Sequence, residues 1–331
     1  MLTLITIMVP CYNEEEALPY FYDRIKPIMD GLQYEVELLF INDGSTDGTL
    51  TYIQQLQLRD SRIQYLDLSR NFGKEIAMAA GYDYARGDAV INIDCDLQDP
   101  PELIPQMIHY WEEGYDDVYA QRTSRKGESW LKRMTAHLFY RLLARVSPVP
   151  ILVDTGDFRL LSRKAVNALN AMRETQRYTK GLYSIVGYRK KSILFEREPR
   201  VAGKTKWNYL KLIGLAMEGI TTFTIMPLRI STFVGIVTSL LAFVYMIYIV
   251  ISTVITGIDF PGYASMVSFI LFLGGLQLLA LGILGEYVGR IFMETKRRPL
   301  YFVREYTGES HDEQGQSEPR QRKPSEPVAS K

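Results

Sequence analysis

The chain has 331 residues, 47% of them hydrophobic, and its 38 basic and 38 acidic side chains cancel to a formal net charge of zero. That length accommodates one large domain or two with a real core, and the lack of a global basic field excludes a general nucleic-acid binder. Two cysteines, Cys11 and Cys95, exclude a disulfide framework and suit a reducing compartment.

In chain order, Met1–Ile7 has no basic n-region, and its apolar run ends in Pro10-Cys11-Tyr12-Asn13-Glu14 rather than at a small-residue cleavage site. No secretory signal peptide is read, so the N-terminal domain is expected to stay where it is made. Short apolar runs at Leu4–Val9, Val36–Ile41, Ile63–Asp67, Ala89–Asp94 and Asp117–Ala120 read as strands. Helical patterns at Glu14–Met29, Asp47–Leu58, Lys74–Ala85 and Pro101–Trp111 alternate with them, which predicts parallel βα units within a domain spanning residues 1–206. Polar residues cluster just after the strand ends, the edge where open α/β sheets bind ligands.

A basic helical segment follows at 122–145, and a second basic stretch carries Lys204 and Lys206 beside Trp207 and Tyr209. Leu210, Ile213, Met217 and Ile220, ended by Pro227, predict over 207–228 either a helix lying in a membrane interface or an amphipathic helix packed on the core. No charged residue lies between Arg229 and Asp259, or between Asp259 and Glu286. Each run exceeds the roughly 20 apolar residues that span a bilayer, so two transmembrane helices are expected over 229–290. The link around Asp259 lacks Lys and Arg, whereas Arg229, Arg290, Lys296, Arg297 and Arg298 flank the opposite ends. The positive-inside rule then puts a short hairpin outside, and the N-terminal domain and both termini in the cytosol of a multi-pass cytoplasmic-membrane protein. Residues 291–331 read as a cytosolic tail, disordered beyond Thr307.

The most informative motif is Asp94-Cys95-Asp96-Leu97-Gln98-Asp99-Pro100-Pro101, directly after a buried strand. Alternating carboxylates on an extended segment converge on one cation with slight bending, and hard oxygen ligands favour Mg²⁺ or Mn²⁺, which also bind phosphate. Asp94 and Asp96 supply charge and Gln98 a carbonyl oxygen; the competing reading is a solvated acidic loop, which the strand-end position disfavours. In Pro10–Glu14, Tyr12 offers a ring to stack on a base and Glu14 an acceptor for base or sugar, unless Asn13 simply caps a helix. In Asn42-Asp43-Gly44-Ser45-Thr46-Asp47-Gly48, Gly44 permits a tight turn and Asp43 can take N–H groups of a base edge; a capped helix start is the alternative. Arg70-Asn71-Phe72-Gly73-Lys74 either brings Lys74 towards a phosphate or leaves it solvated.

Together these clusters resemble the family-2 glycosyltransferases of the GT-A fold, along most of the chain. The likeness is greatest to the polyisoprenyl-phosphate glycosyltransferases, which include dolichol-phosphate mannose synthases and bactoprenol glucosyltransferases. The resemblance implies an α/β fold with a GT-A type, Rossmann-like, mainly parallel sheet, followed by an interfacial helix and two transmembrane helices. It assigns Asp96 and Gln98 to the metal, Asp94 to metal and nucleotide, and Pro10, Tyr12, Glu14 and Asp43 to the nucleotide-sugar. Arg122 and Arg133 match residues that hold the acceptor phosphate. Asp154–Ser162 resembles an acceptor-side motif and Gly203–Trp207 a basic loop before the membrane part. The chain lacks the Gln-x-x-Arg-Trp element of processive synthases, which favours single-sugar transfer.

The implied reaction is an inverting displacement in which an acceptor oxygen attacks the anomeric carbon as the nucleotide diphosphate leaves. A lipid monophosphate, with a second pKa of roughly 6, is already largely ionised and needs little help from a base. Asp157 and the metal-holding Asp96 form the candidate catalytic set; Asp157 acts as base or orienting residue, or is a structural carboxylate paired with Arg159. Arg122, Arg133, Arg159, Lys204 and Lys206 are expected to hold the lipid phosphate, or anionic headgroups in general. Glucose from UDP-glucose to undecaprenyl phosphate is the leading pair. GDP-mannose, an aminosugar nucleotide, another lipid acceptor, or a non-catalytic membrane scaffold are the alternatives, and a small two-helix footprint leaves room for a homo-oligomer. No G-x-G-x-x-G follows the first strand and no P-loop occurs, which disfavours an oxidoreductase or NTPase.

Overall fold

The computed structural model describes residues 3–123, 155–175, 177–196, 226–256 and 262–308. Strands β1 (Leu4–Cys11), β2 (Glu35–Asn42), β3 (Ile63–Leu68) and β4 (Ala89–Asn92) are near-continuous apolar runs, as strands covered on both faces must be. Helices α1 (Leu18–Gly31), α2 (Thr49–Gln57) and α3 (Lys74–Tyr84) connect them. A 3₁₀ turn at Pro101–Leu103 leads into α4 (Ile104–Glu112) and β5 (Asp117–Arg122). Then come β6 (Thr155–Ser162), α5 (Arg163–Ala171), α6 (Thr179–Ile185) and β7 (Lys190–Phe195). Two long helices, α7 (Met226–Thr256) and α8 (Tyr263–Thr295), precede a final strand, β8 (Val303–Tyr306).

The sheet order is β7-β5-β6-β4-β1-β2-β3-β8. Pairing is parallel at β1–β2, β1–β4, β2–β3 and β5–β7, and antiparallel at β3–β8, β4–β6 and β5–β6. The five strands and four helices expected from the sequence are all present. Their ends shift by a few residues, most at α1, where Glu14–Ala17 form a turn before the helix. Helices α1, α2 and α4 cover one face of the sheet, burying Phe21, Ile53 and Met107 among others; α3, α5 and α6 cover the other with Met78, Val166 and Leu182.

The chain steps outward from β1 to β3, then returns through α3 to β4 on the other side of β1. That reversal makes β1/β4 a topological switch point, where crevices open at the carboxyl ends of strands. Pro10 explains where the two strands part. Ile93 N–H donates to the Met8 carbonyl (3.1 Å) and Asp43 N–H to the Cys11 carbonyl (2.9 Å), so alternate residues of β1 bond to β4 and β2. Pro10 lies on the β4 side and has no N–H to continue that ladder, whose last pair is Met8↔Asn92.

Two expectations need correction. Arg159 does not face a lipid phosphate. Its side chain is 1% exposed, its guanidinium grips both oxygens of Asp117 at 3.1 and 3.2 Å, and it lies 3.5 Å from the Tyr183 ring centroid. It lies on β6, which carries its side chain into the covered interior next to β5 rather than out at the sheet's carboxyl edge. Residues 291–331 are not simply a tail either: α8 runs to Thr295, and β8 adds an antiparallel edge strand to β3. A four-residue strand with only a weak alternating pattern leaves little sequence signal.

Helices α7 and α8 are long and apolar enough to cross a membrane, and leave their apolar side chains exposed, with Phe243, Val254, Leu271 and Leu278 more than half accessible. Pro227, read as the end of an interfacial helix, is helical in α7. The rest of that helix at 207–225, the link at 257–261 and the tail at 309–331 lie outside the described residues.

The buried Arg159–Asp117 pair gives a first prediction. Replacing Asp117 with Ala should lower stability by about 3–5 kcal/mol, because a buried guanidinium loses its counter-charge. Thermal unfolding would show this, while Lys164→Ala, which removes an exposed ammonium from half-buried Asp116, should leave the melting point nearly unchanged.

Candidate active site

Four loops meet at the crevice. The first two are stitched together. Asn13, held at φ 56°, accepts the Thr46 N–H (2.8 Å) on its side-chain oxygen, and its own N–H donates to the Ser45 hydroxyl (3.0 Å). Glu14 N–H donates to the Thr49 hydroxyl (2.8 Å). Tyr12 is 41% exposed, open to a planar partner, and Pro10 and Glu14 are half-buried next to it.

Asp43 does more than the sequence suggested. It is buried, and its two carboxylate oxygens accept the N–H groups of Phe72 (2.7 Å) and Gly73 (2.9 Å), binding the second loop to the third. Burial pushes its carboxyl up, with the two backbone donors and Arg70 opposing. Gly44 is required between them: at φ 64°, a Cβ there would stand 2.4 Å from the Arg70 carbonyl carbon.

Lys74 starts α3 and bridges two carboxylates, reaching Asp94 at 2.6 Å and Asp157 at 2.9 Å. The sheet explains the meeting. β4 and β6 are antiparallel with Asn92↔Arg159 as the last pair, so two residues further along, Asp94 and Asp157 come opposite each other. Asn92 fixes the end of β6 by donating its side-chain amide to the Asp157 carbonyl (2.9 Å). Burial favours protonated Asp157, but Lys74, Lys180 and Arg159 outweigh it and hold the carboxyl down at about 2. Burial alone would lower Lys74, and the two carboxylates reverse that and raise it. The pairing of Asp157 with Arg159 weighed from the sequence does not form; Lys74 takes that place.

The acidic motif folds back on itself beyond β4. Leu97 is buried in a left-handed conformation, φ 56°, and Gln98 N–H donates to Asp96 Oδ1 (3.1 Å). Asp99, quoted in the motif but given no role from the sequence, is buried beside it. Burial, then the charge of Asp94, pushes its carboxyl up to about 6 against the pull of Arg122, and its Oδ1 has no hydrogen-bond partner. Arg122 ends β5 half-buried, 3.9 Å from Asp99. Arg133, Lys204 and Lys206 lie outside the described residues.

The donor set of Asp94, Asp96 and Gln98 fits a hard divalent cation. Among the described residues no three His, Cys, Asp or Glu side chains make a closed cage, and Mg²⁺ or Mn²⁺ at a phosphate site uses few protein oxygens and completes its shell with water and phosphate. The Asp99 oxygen that lacks a hydrogen bond is met by Arg122 only at 3.9 Å, and Asp94 and Asp96 add their charge beside it.

A switch-point crevice ringed by strand-end carboxylates on a mixed, mainly parallel sheet is the arrangement of the GT-A fold. Comparison with known proteins identifies the family. Residues 6–169 match Glycosyl transferase family 2, and residues 226–291 match the GtrB C-terminal hairpin. An uncharacterized glycosyltransferase of Synechocystis is 48% identical over 92% of this chain and 96% of its own. The prophage bactoprenol glucosyl transferase homolog of Escherichia coli is 46% identical, and the bactoprenol glucosyl transferase of Shigella phage SfX 45%, each over 91% of this chain and 98% of its own. The chain belongs to glycosyltransferase family 2, in the branch that ends in a two-helix hairpin.

The close fit at Gly44 separates two glycine substitutions. Both Gly44 and Gly73 have positive φ and strain an alanine, Gly73 (φ 95°, ψ 153°) by about 1–3 kcal/mol, but only at Gly44 would a Cβ also run into backbone, whereas at Gly73 it meets nothing within 4 Å. Gly44→Ala should therefore destabilise the protein clearly more than Gly73→Ala in thermal unfolding.

Proposed function

We propose that the protein transfers a single glucosyl residue from UDP-glucose to a polyisoprenyl phosphate, at the cytosolic face of a cytoplasmic membrane. The observation that carries this reading is the Lys74–Asp94–Asp157 cluster beside the acidic motif, in a chain 45–46% identical over 91% of its length to proteins named for bactoprenol glucosyl transfer.

Asp94, Asp96 and Gln98 would hold Mg²⁺ or Mn²⁺, which supplies charge neutralisation for a leaving diphosphate. Tyr12 stacks on the base, while Pro10, Glu14 and Asp43 shape its pocket. Lys74 lies at the boundary between donor and acceptor, where an ammonium released from Asp94 can meet a phosphate oxygen. Asp157, held near pKa 2, is a poor proton acceptor. It suits an orienting role, and a lipid phosphate already ionised at neutral pH asks for no more. Arg122, with Arg133, Lys204 and Lys206, draws that phosphate in.

Membrane attachment follows from the acceptor: withdrawing a polyisoprenyl chain from a bilayer costs about 0.8 kcal/mol per CH₂, so the enzyme goes to the lipid. The paired β8 and β3 support a hairpin topology, since a strand that follows both helices joins the same sheet as strands that precede them. An even number of crossings satisfies that.

Purified protein given undecaprenyl phosphate and separate UDP-glucose, GDP-mannose and UDP-N-acetylglucosamine should add one hexose from UDP-glucose alone, read by mass spectrometry of the lipid. Chelator should stop the reaction, added Mg²⁺ or Mn²⁺ restore it, and Asp96→Ala lower it by roughly 10²-fold or more, the scale for losing one transition-state charge partner. A product from another donor would overturn the choice of sugar. In intact cells, a cysteine at Asp259→Cys should react with an impermeant thiol reagent, and one at Ser310→Cys only after the membrane is opened.

A further inference from the structure

We infer that Arg304, in the strand that follows the second apolar helix, is a positioning residue for the donor loops. One guanidinium nitrogen donates to Asp67 Oδ2 (3.0 Å) and the other to the Ser69 carbonyl (2.9 Å), just before the Arg70–Lys74 loop. The Asp67 side chain is 1% exposed and that of Arg304 58%, so a charge buried at the end of β3 is met by a cation delivered from outside the sheet. The other Asp67 oxygen accepts the side-chain amide of Asn42 (2.7 Å), the last residue of β2. The Asn42 amide oxygen accepts Ser45 N–H (3.3 Å), and the Ser45 hydroxyl accepts Asn13 N–H (3.0 Å). An unbroken series of hydrogen bonds thus runs from Arg304 to the residue between Tyr12 and Glu14.

Each link depends on the one before. Without its counter-ion the buried Asp67 carboxylate is left uncompensated and free to turn towards water. That changes what it offers Asn42, and Asn42 orients the second loop through its amide oxygen. The surrounding contacts make Arg304 hard to displace: Tyr301 donates to Asp83 (2.6 Å), the rings of Tyr84 and Tyr306 meet edge to face at 4.7 Å, and Thr175 N–H donates to Glu294 at the end of α8 (2.8 Å). The donor pocket is therefore supported from a segment that the membrane helices separate from the rest of its sheet.

The inference rests on these loops being the donor site, and hydrogen exchange reads the loops whatever they bind. In the full chain in detergent, Arg304→Gln should speed amide exchange at 12–14 and 43–48 by about threefold or more, while α4 stays as protected as in the wild type. It should also raise the KM for UDP-glucose several-fold with kcat and the lipid KM little changed, and Arg304→Lys, which keeps the charge, should recover part of the loss. A purely structural role would lower the active fraction and leave KM alone. Wild-type exchange in both loops overturns the inference, whatever the donor proves to be. Should Arg304→Gln loosen the whole sheet, Asn42→Ser tests the relay with β8 still paired: loosening confined to the loops supports it, and wild-type exchange there overturns it.

Discussion

Everything at the site depends on the parting of β1 from β4 at Pro10. A parallel ladder of Val, Ile and Met would otherwise continue, and residues 93–99 would remain part of a closed sheet. Because Pro10 cannot donate, β4 is freed after Asn92, and the acidic motif turns away through a left-handed Leu97. The same opening leaves Tyr12 exposed on one side, while the β4–β6 register sets Asp94 opposite Asp157 on the other. A single missing N–H in a central strand is thus what separates a packed core from a pocket lined with charge.

Among the described residues the pocket gathers Asp94, Asp96, Asp99 and Asp157, with Lys74 between Asp94 and Asp157 and Arg122 3.9 Å from Asp99, and burial with the charge of Asp94 pushes the Asp99 carboxyl up. Lys74 already spans Asp94, beyond β4, and Asp157 on β6. Filling the pocket with a cation and a diphosphate would redistribute those partners rather than create contacts from nothing, which is how a preorganised site limits the reorganisation that binding demands.

Much of this could be read from residue order. The five leading strands are apolar runs bounded by polar loops, so β1 to β5 were legible, as were the loops after them and the acidic motif. The roles inside the site were less so. Asp43 reads as a ligand contact, yet its oxygens face Phe72 and Gly73, a partnership that depends on how two loops pack. Arg159 sits in a motif rich in functional types, and only the β5–β6 register shows that it faces Asp117 in the core. Asp99 looked like punctuation before two prolines. Strand β8 was invisible because its pairing lies more than 230 residues away in sequence and its four residues carry little pattern.

That last pairing governs the order in which the molecule can be built. Strand β3 leaves the ribosome early, but the strand that covers its edge is made only after both apolar helices have emerged. Until then the nascent head carries an open sheet edge, the kind of surface that recruits stray strands. Completion of the sheet thus waits until both long apolar helices have been made, and maturation of the head is timed by the order of its own synthesis.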